Sequence, residues 1–168
     1  DSYYSNLYFK HLYGAEGSKA IDSETVKQKM YDNFVIADLL QVSFSSKTDD
    51  EKTLLKEKVN TYADELKNGK KTFEEVYKDY NSTSDKTDTS SDTSTEEKQP
   101  KDKYASVLGA KDTAYESDQY DTVKAMATGE VKVIELKDNA GLVLAVKQDI
   151  SADDYYTDTL DLTVRHLI

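Results

Sequence analysis

From residue 81 to residue 103 the chain reads NSTSDKTDTSSDTSTEEKQPKDK, with no aliphatic or aromatic side chain. Ordering such a run costs about 1–2 kcal/mol of backbone entropy per residue and returns no apolar burial. A disordered insertion at about 81–103 is therefore expected. The run either separates two domains or interrupts one, and neither flank shows enough strands to close a sheet alone. With 168 residues in all, close to the size of one ordinary domain, an insertion within a single domain is the expectation.

Lys plus Arg number 22 and Asp plus Glu 33, for a net charge of −11. So acidic a surface repels phosphate backbones and anionic headgroups, which excludes nucleic acid as a partner class. No apolar run approaches the roughly 20 residues needed to cross a bilayer, and the N-terminus shows neither a start methionine nor a signal-like segment. The chain reads as an excised or mature piece. It has no cysteine, which removes disulfides, thiolate metal sites and cysteine nucleophiles and fits an exported protein. His11 and His166 lie near opposite ends without ligand spacing, so no metal and no cofactor are expected. The acidic words TDTSSDT and TDDEK lack the register of a calcium loop and read as solvated surface. Thirteen tyrosines against four phenylalanines and no tryptophan suggest half-wet packing surfaces.

Before the polar run, DSYYSNLYFKHLYG has helical spacing, with Gly14 as a stop. A second helix follows, capped by Asp22, stapled by Ile21 and Val26, and burying Val26, Met30 and Phe34. FVIADLLQVSF reads as a buried strand over 35–44. The next segment sets Leu55, Val59, Tyr62 and Leu66 on one helical face and stops at Gly69. TFEE is a capping box, Thr72 with Glu75, opening a helix with Phe73, Val76, Tyr77 and Tyr80 on its apolar side. After the run, KYASVLGAK suggests a short strand turning at Gly109. SDQYDTVKAMATGE suggests a helix capped by Ser117 and stopped by Gly129. VKVIELKDNAGLVLAVKQD reads as a hairpin through Asp138, Asn139 and Gly141. SADDYYTDTLDLTVRHLI predicts a C-terminal helix, with the tyrosine-rich N-terminal helix as its packing partner. The fold class is α+β, a small antiparallel sheet with surrounding helices.

In order, ADLLQVSF, NGKKTFEEVYKDYN, SVLG, AMATGEV and GLVLAVK resemble the parvulin family of peptidyl-prolyl cis-trans isomerases. LYFKHLYGAEGSKAIDSETVKQKMYDNF is similar to the helical lead-in of the membrane-anchored extracytoplasmic foldases of Gram-positive bacteria. The resemblance implies an N-terminal helical flank over 1–34, part of a chaperone-like lobe, a parvulin-like domain over 35–150 and a C-terminal helix over 151–168. It also implies unfolded or partly folded polypeptide as partner, an extracytoplasmic or cell-surface location, and membrane attachment only through an anchor outside these 168 residues.

Parvulins are expected to twist the prolyl bond with an apolar pocket beside two histidines and a cysteine or aspartate. Here the matching positions are Leu39 and Val143 for the histidines and Lys124 for a pocket phenylalanine, and the only nearby loop acid is Asp85. The resemblance thus implies a degenerate site with weak or absent isomerase activity, which keeps Leu39, Met126 and Val143 as a binding groove. The alternative from a different class is a non-catalytic structural or ligand-binding cell-surface module.

Overall fold

The computed structural model describes residues 11–12, 18, 23–83, 104–113 and 115–150. The elements are α1 (Ser23–Asn33), β1 (Phe34–Ser43), α2 (Asp49–Lys67), α3 (Phe73–Thr83), β2 (Ala105–Gly109), α4 (Tyr120–Lys124), β3 (Val131–Glu135) and β4 (Gly141–Gln148). The strands form one antiparallel sheet in the order β2-β1-β4-β3. Strands from both sides of the polar run thus share one sheet, and the fold is α+β.

The central strand is β1, and its pairing is unequal. It bonds β4 from Ile36↔Gln148 to Ser43↔Gly141, but β2 only from Phe34↔Gly109 to Asp38↔Ala105. Its first half is buried on both faces, while further along Val42 and Phe44 are buried and Gln41 and Ser43 are exposed. A half-covered antiparallel strand shows that alternation. One face carries Leu40, Val42, Leu142 and Leu144 against Val59, Tyr62 and Ala63 of α2 and Phe73 and Val76 of α3. The opposite face carries Val35, Ala37 and Ala145 against Tyr120, Val123 and Met126. Burying each large aliphatic side chain is worth about 1.5–3 kcal/mol. Gly141 lets β4 approach β1 closely, since a Cβ there would meet the carbonyl oxygen of Val42.

Both α2 and α3 start on reciprocal caps. Thr48 accepts from the Glu51 N–H at 3.3 Å and the Glu51 carboxylate accepts from the Thr48 N–H at 2.7 Å. Thr72 and Glu75 repeat the arrangement at 3.3 and 2.8 Å. Between them α2 ends in a Schellman turn. Gly69 takes φ 67°, its N–H donates to Leu66 and the Lys70 N–H donates to Glu65. Lys71 then pins the corner, lying 3.1 Å from Glu65 and 3.2 Å from Asp79.

Several boundaries differ from the sequence expectation. The strand begins at Phe34 and ends at Ser43, one residue earlier at each end, because Phe34 already pairs with Gly109. α3 continues to Thr83, past the start of the polar run, helped by the Asn81 amide donating to the Tyr77 carbonyl. α4 has only five residues. Ser117 does not cap it, as its hydroxyl turns back to the N–H and side chain of Gln119. Gly129, with φ 82°, shapes a separate turn before β3. The hairpin connection keeps Asp138 and Asn139 at positive φ. The first helix beyond residues 11–12, the Asp22 cap, the Ile21–Val26 staple, residues 84–103 and the C-terminal helix lie outside the described residues.

The caps give a pH dependence of known sign. In both glutamates the hydrogen bond from the threonine backbone N–H, and then that of its hydroxyl, holds the carboxyl below its ordinary value of 4.5. Their contribution is complete above that value and is lost as the pH falls through the lowered one. The melting temperature should fall less steeply between about pH 5 and about pH 3 in the Glu51→Gln, Glu75→Gln variant than in the parent. Parallel acid profiles in thermal melts would contradict this. Thr72→Ala should cost about 1 kcal/mol, or roughly 2–4 °C in a chain of this size.

Candidate functional site

The face of the sheet under α4 holds the positions singled out from the sequence. Leu39 is half-buried on β1, Val143 is fully buried on β4, and Met126, just after α4, is 4 % exposed. Leu39 pairs with Ala145 and Val143 with Gln41, so Leu39 and Val143 are diagonal neighbours on one face. The three positions share a face, yet Met126 and Val143 present no open surface. A groove through them is closed at two of its three points, because the turn after α4 presses Met126 into the cluster of Val35, Ala37, Val123 and Ala145.

Lys124 has a role that the sequence did not show. Its ammonium donates to the carbonyls of Tyr31 and Asp32, in the last turn of α1. The Tyr120 hydroxyl also donates to the Asp32 carbonyl. These carbonyls have no partner within their own helix, and a cation at a helix C-terminus is favoured by the helix dipole. Lys124 therefore fastens α1 to α4. Lys147 does the same for α4, donating to the carbonyls of Lys124 at 3.0 Å and Met126 at 2.6 Å. Burial, and then the charge of Lys124, push its pKa down. Both ammonium groups face a cavity of about 220 Å³ that also touches Tyr31, Phe34 and Gln148. Each is already held by backbone carbonyls.

Chemically this face offers apolar contact and two fixed cations. Neither Leu39, Val143 nor Met126 can exchange a proton. Among the described residues no group of three His, Cys, Asp or Glu side chains is placed to hold a metal ion. Asp85 and His166 lie outside the described residues, and His11 is exposed.

A second feature lies where β1 runs past β2. A cleft of about 380 Å³ is lined by Leu39, Gln41, Tyr77, Tyr80, Asn81 and Ser106. The Tyr77 ring also meets that of Tyr104, centroids 4.7 Å apart and planes tilted by 43°, and Tyr104 in turn lies 5.8 Å from Phe73. The alternation of Gln41 and Ser43 with Val42 and Phe44 marks the less covered face of β1, not an edge. Which neighbouring strand stops short is a matter of register, and the alternation does not carry it.

Comparison with known proteins finds no matching family model, no matching curated protein and no matching solved structure.

The burial difference predicts unequal tolerance. Val143→His must fit an imidazole into a filled, apolar slot and should cost at least ~2 kcal/mol from overpacking and polar burial. Leu39→His, at a half-open position, should cost less than ~1 kcal/mol. Chemical denaturation of the two variants checks this, and equal losses would contradict the placement of Val143.

Proposed function

We propose that this chain is a parvulin-like domain of an extracytoplasmic foldase or chaperone-like protein, which binds unfolded polypeptide with weak or absent isomerase activity. The observation that carries this reading is the order of elements. A strand, two helices, a short strand, a short helix and a hairpin follow in that order, and the short helix lies on the sheet face that holds Leu39 and Val143. This is the order in which the parvulin-like words occur in the sequence.

The chemistry supports the non-catalytic half of the reading. Twisting a prolyl amide means overcoming much of a barrier of roughly 18–20 kcal/mol, so an isomerase must hold the twisted amide better than either planar form. At the matching positions this chain has two aliphatic side chains and a lysine already bonded to α1. Burial of Met126 and Val143 also favours a second reading, a structural or ligand-binding surface module without a polypeptide client. Among the described residues no helix is long and apolar enough to cross a membrane.

Two assays test the proposal together. In a protease-coupled prolyl isomerisation assay the chain should show less than about one tenth of the activity of an active parvulin, and an activity within tenfold of that control would contradict the degenerate site. In light scattering of a heat-unfolded client, near-stoichiometric protein should slow aggregation. Scattering unchanged at several-fold excess would favour the structural module.

A further inference from the structure

Lys147 stands where the row of side chains beneath α4 comes to its end. The alternation along β4 that sends Val143 and Ala145 to that face sends Lys147 there too, and its partner in the β1 ladder is Ala37. The turn after α4 fixes its backbone. The Gly129 N–H donates to the Lys147 carbonyl at 2.8 Å, and the Lys147 N–H donates to the Glu130 carbonyl at 3.1 Å. A half-buried ammonium is thereby held under the end of α4, beside the exposed Lys124.

An ammonium group has three N–H donors and no acceptor. Lys124 gives two to the carbonyls of Tyr31 and Asp32, and Lys147 gives two to those of Lys124 and Met126. One donor of each is left over, and both side chains line the cavity of about 220 Å³. Among the described residues neither lysine is ion-paired with a carboxylate. Like charges sharing a partly desolvated space disfavour one another. Lys147 registers this: burial first, and then the charge of Lys124, lower its pKa, with Glu130 acting the other way. An anion placed in the cavity would relieve both lysines.

The other walls narrow the class of anion. Asp149, exposed on the wall, offsets one of the two positive charges, and the whole chain carries −11. That balance suits a monoanion better than a dianion such as phosphate. Tyr31, Phe34 and Ile150 supply apolar surface, and Thr128 supplies a hydroxyl. The space is smaller than the ~300–1,000 Å³ usual for drug-sized ligands.

We infer that this cavity between α1, α4 and the end of β4 binds a small organic monocarboxylate. Its charged end takes the remaining N–H groups of Lys124 and Lys147, and its apolar end lies against Tyr31, Phe34 and Ile150. Hydrogen bonds to an ionised acceptor are about twice as strong as neutral ones, so a neutral ligand of the same shape binds less well. The site is independent of the proposed polypeptide binding, since it needs neither an open face at Val143 nor a folding client.

The test titrates benzoate into the whole isotope-labelled chain and follows its resonances by NMR, with benzamide as the neutral isostere and inorganic phosphate as the dianion. Saturable shifts centred on Lys124, Thr128 and Lys147 are expected, with a Kd on the order of 1 mM, and benzamide should bind at least about tenfold more weakly. The titration midpoint of the Lys147 ammonium should rise when benzoate is saturating, because a bound carboxylate favours the charged form. Lys147→Met keeps most of the stem, removes the charge and should weaken benzoate about tenfold or more. If that variant does not fold, the benzamide comparison and the Lys147 midpoint in the parent decide. Benzamide binding as well as benzoate, phosphate binding more tightly than benzoate, an unmoved Lys147 midpoint, or folded Lys147→Met protein that binds benzoate at the parent level would each overturn the proposal. Shifts that stay linear up to about 50 mM benzoate would overturn it as well.

Discussion

Among the described residues, eight residue pairs join β1 to β4 and five join β1 to β2, and this unequal pairing of one central strand organises the rest of the molecule. Where β1 has partners on both sides it is also covered on both faces, by α4 and Met126 on one and, near its start, by Met30 and Ile150 packed on its own Phe34 and Ile36 on the other. Where β2 stops, the cover under α4 stops as well, and Gln41 and Ser43 reach solvent. The domain is thus thickest around Val35 and Ala37. It thins toward Phe44, and the edge cleft opens at that thinner end.

At the thick end, α4 adds lysine contacts to the apolar packing of Tyr120, Val123 and Met126. α4 is one and a half turns long, too short to persist by its own hydrogen bonds. Lys124 and Tyr120 bond backbone carbonyls at the end of α1, and Lys147 bonds the carbonyls of Lys124 and of Met126 just after α4, so backbone acceptors serve as anchors. On the proposed parvulin-like reading, the position that would carry a pocket phenylalanine holds a structural cation instead. A side chain committed to α1 is not available to cradle a proline ring. On the other side of the sheet, α2 and α3 are fixed by local devices, two capping boxes and a Schellman turn, reinforced by Lys71 between Glu65 and Asp79.

Most local devices were legible in the sequence, the cap and stop of α4 excepted, and long-range ones were not. The spacing of Val59 and Tyr62 identified the buried face of α2, and the threonine and glutamate of TFEE identified the start of α3, because both signals are complete within a turn or two. The hairpin of β3 and β4 was legible for the same reason. The role of Lys124 was not, since its acceptors lie more than ninety residues away in sequence. The closure of the face at Met126 and Val143 depends on how a five-residue helix and the turn after it settle on a twisted sheet, which no spacing rule encodes. The end of the β1–β2 ladder at Asp38 is likewise a property of register, set by tertiary packing.

Native-state amide hydrogen exchange on the unliganded chain tests the half-paired central strand most directly. Leu40 and Val42 donate into the β4 ladder and should exchange only in large openings, whereas Gln41 and Ser43 face the side on which no strand among the described residues pairs with them and should exchange on the order of a hundredfold faster. Slow exchange at Leu40 and Val42 beside fast exchange at Gln41 and Ser43 is the predicted result. Protection of all four amides to within about threefold of one another would contradict it, because β1 would then be paired on both sides along its whole length.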